Sequence, residues 1–273
     1  MSLFAYDLAA VGLLWRREIV RLWRQPGRPA TVLGASLITW LMLSAGARLP
    51  PAEATGAAVG PFATFFPGAI LLTMVLAASL AAAGLLDDRR NGWLAFVGST
   101  PASPAALVAG QCAGVATAVW LQVGLLVALA PLAGYGFETI AVPMLIAVCA
   151  LGSVACAGLA VCVVWVAGSP RAFRTSVALL FGLIWLGSGA LFGSSPGAAR
   201  AAMATNPGAS IVSALRHALV GPGGSQVPEA MLSGAPWVEV AGVAGFAAVG
   251  LVAALVAATL LAVARRSPVA ILR

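Results

Sequence analysis

Lysine is absent from this 273-residue chain and acids are scarce: fifteen arginines stand against eight acidic residues, for a net charge of +7, and only 8% of residues are charged. Soluble domains run near a quarter charged, so a soluble fold of this length is excluded. Histidine occurs once, at His217 beside Arg216, which leaves a metal ion no set of companion ligands. The four cysteines, Cys112, Cys149, Cys156 and Cys162, show no CxxC spacing and lie in apolar runs. They read as small apolar side chains, and neither a disulfide framework nor a zinc site fits them. Walker A and GxSxG sequences are also missing, so no catalytic residue, metal or cofactor is assigned.

What the chain has is length without charge. Residues 29–47, 59–86, 91–137, 139–170, 175–199 and 240–264 carry no charged side chain, 61% of the chain is hydrophobic, and the mean hydropathy is +1.02. A helix needs about 20 apolar residues to cross a hydrocarbon core of about 30 Å. The expectation is an all-α membrane protein with one domain over 1–273. Its six spans fall near 29–47, 62–86, 105–129, 140–166, 175–192 and 238–263. A transmembrane barrel would show polar–apolar alternation over about ten residues, and these runs do not.

The arginines fix an expected orientation. With the N-terminus in the cytoplasm, Arg16, Arg17, Arg21, Arg24, Arg28, Arg89, Arg90, Arg171, Arg174, Arg265, Arg266 and Arg273 fall inside, and only Arg48, Arg200 and Arg216 outside. That asymmetry follows the positive-inside rule and puts both termini in the cytoplasm. It also accounts for the positive charge without nucleic acid as a partner. No secretory cleavage pattern is expected, because the first apolar residues precede the basic cluster.

Two local segments stand out at the basic end. Over about residues 3–25, a 3.6-residue period gathers Val11, Leu14, Trp15, Ile19 and Leu22 on one side and Arg17, Arg21 and Arg24 on the other. That pattern predicts an amphipathic helix lying in the membrane interface, broken by Pro26. The second segment, DDRRNGWLAFVGSTPASPAALVAG, begins with Asp87, Asp88, Arg89 and Arg90 at a helix end. Asn91-Gly92 breaks that helix, Trp93, Leu94, Phe96 and Val97 form a short apolar ridge, and Ser99, Pro101, Ser103 and Pro104 give a turn, a cap and the start of the next helix. Either segment could simply anchor to the bilayer, or offer a surface to another protein.

Within the spans no charged residue lies near a midplane, which disfavours a proton relay or ion-coupled carrier. Small residues are frequent instead. Gly110 and Gly114, Gly189 and Gly193, and Gly242 and Gly245 suit close helix contacts within the chain or between copies. Pro67 in the turn Phe65-Phe66-Pro67-Gly68 would kink or begin a helix. In the long segment 193–237, Asn206-Pro207 precedes a short amphipathic stretch around Ile211, Leu215 and Leu219 that is expected partly in the interface, either closing the outer end or serving in packing.

The order of WRREIVRLWRQPGRP, FFPGAILLT, LLDDRRNGWLAFVGSTPASPAALVAG, GSGALF and NPGASIVSALRHALVG resembles the permease subunit of bacterial ABC-2-type exporters over nearly the whole chain. The resemblance implies a permease of that fold in the bacterial inner membrane. Two copies would pair with separate cytoplasmic ATPase subunits and carry a drug, lipid or glycan, hydrophobic or amphipathic cargo. It further implies that Arg17, Glu18, Arg21, Arg24, Asp87, Asp88, Arg89, Arg90, Gly92, Trp93 and Phe96 lie where the ATPase couples. Phe65, Phe66, Pro67, Gly68, Asn206 and Pro207 would lie along the pathway or its outer gate. The usual EDRREG loop is matched by residues 87–92 with conservative changes. Ser213-Ala214-Leu215-Arg216 replaces the family's acidic run, and Gly193 stands where a proline is common. The alternative reading is a non-transporting membrane scaffold that uses its glycine faces for association.

Overall fold

The computed structural model describes residues 3–46, 61–93, 100, 102–133, 141–190, 206–220 and 236–266. Eight helices account for nearly all of them: α1 Leu3–Arg24, α2 Gly27–Gly46, α3 Pro61–Arg90, α4 Pro104–Leu129, α5 Val142–Val166, α6 Pro170–Leu186, α7 Pro207–Val220 and α8 Pro236–Arg266. A 3₁₀ turn, Ala130–Ala133, extends α4. Phe96, Leu94, Val97 and Gly193 lie outside the described residues.

The molecule is an all-α, multi-pass membrane-spanning bundle. Among the described residues, four stretches are long and apolar enough to cross a bilayer: Phe65–Arg90, Pro104–Leu132, Val142–Val166 and Trp237–Leu260. The expected spans at 29–47 and 175–192 are present as helices α2 and α6 but are not among these four; they are 20 and 17 residues long. Helix α6 begins five residues earlier than expected, because the Ser169 side chain accepts from the Ala172 N–H and Pro170 starts the helix at no hydrogen-bonding cost. It stops at Leu186, where Gly187 and the left-handed Gly189 (φ +71°) turn the chain. Ser103 and Pro104 begin α4 in the same way, as expected.

Helix α3 is the centre of the bundle. Its Phe66, Ile70, Leu71, Met74 and Leu85 are essentially inaccessible. The tightest crossing joins α5 and α8, where a Cβ on Gly158 would fall 2.5 Å from the Gly250 carbonyl carbon and one on Gly250 2.9 Å from the Ala155 oxygen. The two backbones therefore touch directly, which only glycine permits, and that contact supplies packing that lipid cannot. The Ala141 N–H donates to Ala218 of α7, and Gly242 abuts Ser210 of α7, so α5 and α8 start at the same end and run parallel. The outward face of α8 leaves Val249, Val252, Val256 and Leu260 exposed, as a lipid-facing helix would.

Helix α7 corrects one expectation. Ile211, Leu215 and Leu219 are buried at 4% exposure or less, and so is Arg216 at 5%. The segment is a packed core helix wedged against α3, α5 and α8 rather than an interfacial one, because its apolar stripe meets protein on several sides.

Candidate functional site

Of the residues that the resemblance assigns to coupling, Arg17, Glu18, Arg21, Asp88 and Trp93 meet at the arginine-rich end, and α1 is what gathers them. This helix lies lengthwise along the first half of α4. Asp7 accepts from the Ser103 N–H at 2.9 Å, and the Trp15 indole donates to the Thr117 hydroxyl at 3.0 Å. Between these anchors Leu14 sits over Gly110 and Glu18 over Gly114; added Cβ atoms there would fall 2.7 and 2.5 Å from the α1 side chains. The first glycine pair thus seats α1 within the chain. Gly84 of α3 similarly leaves room for the Arg21 guanidinium, whose Cζ would be 2.7 Å from a Cβ at that position.

The faces of α1 differ from the expected arrangement. Arg17 and Arg21, one turn apart, both turn inward and donate to Oδ2 of Asp88 at 2.8 and 3.0 Å, while Arg24 stays exposed. Arg17 also donates to Glu18 at 3.2 Å, and its guanidinium stacks 3.7 Å from the centre of the Trp93 ring. A buried carboxylate at the end of α3 gives the arginines a stronger partner than solvent does, and the cation–π contact adds to it. Conversely Leu13, Trp15, Val20 and Trp23 are exposed. Burial pushes the Glu18 carboxyl above the usual range, against the opposing pull of Arg21 and Arg17.

The neighbouring residues divide by role. Asp87 and Arg90 are exposed, whereas Arg89 donates to the carbonyls of Val164, Trp165 and Ala167 at 2.7, 2.9 and 3.0 Å. A cation on these last carbonyls completes the end of α5 and complements its dipole. Gly92 is left-handed (φ +75°) and ends α3 as the Asn91-Gly92 break predicts. The turn leaves Trp93 beside α1, where it borders an open recess of about 780 Å³ with Tyr6, Ala10, Leu13 and Arg17.

At the opposite end the FFPG residues are packed. Phe66 is fully buried with its ring tilted against Trp40 at 5.0 Å, and Pro67 lies inside α3 rather than at its start. Gly68 abuts Ala190, and its carbonyl accepts from the Trp185 indole at 3.0 Å. Asn206 bridges helices: its amide donates to Leu183 of α6 at 3.1 Å and its oxygen accepts from the Gly208 N–H at 2.8 Å, fixing the start of α7 at Pro207. Arg216 donates to the Gly189 carbonyl at 3.1 Å, and burial lowers its pKa.

Sequence reasoning overlooked the inward turn of Arg17 and Arg21, the burial of Arg216, and two buried amides, Gln111 and Gln122, on α4. The amides were legible as polar interruptions of an apolar span. The other two features needed the partner helices. No protein-family model and no curated protein matches the chain.

Proposed function

We propose that this chain is the membrane-spanning permease subunit of an ATP-driven ABC-2-type exporter, working as a pair of copies in the bacterial inner membrane. Its basic end faces the cytoplasm and couples to separate ATPase subunits. The observation that carries the reading is the block formed by Arg17, Arg21, Asp88 and Trp93. A partner pressing on the recess beside Trp93 displaces α1 and the end of α3 together. Arg89 passes the displacement to the end of α5. Because α3 carries the fully buried side chains of the bundle's centre, movement at one end reaches the FFPG and Asn206-Pro207 junctions at the other, where an outer gate would open.

The chain would supply a path of changing access for a hydrophobic or amphipathic cargo, and the ATPase the energy. The scaffold reading draws on glycine faces for association, but Gly110, Gly114 and Gly242 are occupied within the chain, while Gly245 faces open space. Co-purification with the candidate ATPase, then reconstitution into vesicles, tests the proposal: ATP-dependent movement of a cargo that needs both proteins is expected. A stable chain that never associates with an ATPase would sink it.

A further inference from the structure

Between α1, α2, α3 and α4 lies a narrow recess with about 40 Å³ of enclosed space behind an open mouth. Arg21, Gln25, Arg28 and Gln122 contribute its polar wall, and Val32 and Leu80 part of its apolar wall. Three features mark it as a site rather than a packing gap. Gln122 is 94% buried, from its 6% exposure, and its Oε1 makes no hydrogen bond although it lines the recess. The oxygen and nitrogen of such an amide exchange by a simple flip, so Gln122 can present a donor there. Arg28, half-buried, makes no side-chain hydrogen bond or close ion pair among the described residues; its charge acts on Glu18, which also lines the recess and is already engaged by Arg17. Arg28 also stands in the first turn of α2, where the helix dipole adds positive potential.

The depth of the recess selects the ligand. Its lining residues Ala81 and Ala77 lie seven and eleven positions before Asp88 on α3, about 10 and 16 Å below the charged belt at 1.5 Å per residue. At the mouth of the recess the Arg28 guanidinium shares the Glu18 carboxylate with Arg17 and Arg21, and a further anion would balance it. A recess with arginines at the membrane edge, and an amide and aliphatic walls below, matches a phosphate on an acyl chain, and basic pockets between membrane helices hold such headgroups.

We propose that this recess binds the phosphate of an anionic membrane phospholipid, held by Arg28, Arg21 and Gln122, with its acyl chain along Val32 and Leu80. This inference stands independently of the exporter reading.

Native mass spectrometry of the full chain in detergent, titrated with phosphatidylglycerol and phosphatidylcholine of matched acyl chains, tests it. Phosphatidylglycerol should bind at least tenfold tighter. Arg28→Gln should remove about tenfold of its affinity, more than the roughly fivefold expected when one basic group loses a diffuse attraction. Gln122→Leu, an apolar change in an apolar helix, should weaken it too, and serves as the test should Arg28→Gln fail to elute as a single species. Arg16→Gln removes an exposed arginine of α1 outside the recess and should leave the preference in place. Equal affinity for the two lipids, equal losses from Arg16→Gln and Arg28→Gln, or no loss from Gln122→Leu would overturn the site. Displacement of the lipid by millimolar inorganic phosphate would overturn the lipid as its source.

Discussion

At the scale of single residues, Asp88 does more than its neighbours in the DDRR sequence. Its carboxylate is buried and holds two guanidinium groups, so Asp88→Asn leaves Arg17 and Arg21 without their shared anion. Both arginines keep some solvent contact, which reduces the penalty to about 2 kcal/mol. Thermal unfolding in detergent should show the loss, and Asp87→Asn, at an exposed position, should show almost none. Glu18 brings a pH dependence of its own. Burial makes the folded chain hold its proton more tightly than the unfolded chain does, so the folded state carries more protons in the window just above the ordinary carboxylate range. Stability therefore falls as pH rises through that window, and Glu18→Gln should flatten this part of the profile. Trp93→Ala removes both the stacking partner of Arg17 and a wall of the recess. An aromatic anchor at an interface is worth about 2 kcal/mol, so affinity for the proposed ATPase should fall roughly thirtyfold with membrane insertion unchanged. Unchanged affinity would leave Trp93 a membrane anchor only.

At the scale of elements, glycines decide which helices meet. Gly114→Val places branched carbons where Glu18 of α1 already lies, and should lift α1 from α4 without unfolding the spans. Protease cleavage within α1 should then accelerate while the remainder of the chain stays protected. Gly158→Val acts differently, since the obstacle is the Gly250 backbone rather than a side chain that can swing away. Lower yield of monodisperse protein and a reduced unfolding temperature are expected. Several element boundaries were legible because their causes are local: Ser103-Pro104 starts α4, Gly92 ends α3, and the absence of charge marks the interiors, although the equally local Ser169-Pro170 start of α6 was placed five residues late. The pairing of elements was far less legible. Gly110 and Gly114 announce that something approaches closely, yet nothing in their spacing says that the neighbour is α1. Gly158 and Gly250 belong to no short motif at all. The resemblance and the charge pattern singled out Arg17, Glu18, Arg21, Asp88 and Trp93, which the structure brings together. Their geometry escaped a one-helix periodicity, which sends every arginine to the polar face and has no knowledge of Asp88 on another helix.

At the scale of the whole molecule, charge is polarised along the bundle. Arg17, Arg21, Arg89 and Arg171 lie at the end where α3 and α5 finish and α6 begins. Helix α8 runs parallel to α5, which brings its terminal Arg265-Arg266 to that end as well. Arg216, at the other end, is buried and donates to a backbone carbonyl rather than standing at the surface. The positive-inside rule predicts that this basic end faces the cytoplasm. Single cysteines at Ser2, Ser225 and Ser267, placed in a chain whose four native cysteines are replaced, report the orientation through a membrane-impermeant thiol reagent. The replaced cysteines are three buried and one half-buried residue, so their removal to small apolar side chains disturbs the bundle little. Labelling at Ser225 alone is expected in intact cells with an accessible outer face, and at all three positions once the membrane is opened. Labelling at Ser2 or Ser267 in intact cells would put the basic end outside, and the proposed ATPase contact at Trp93 would fall with it.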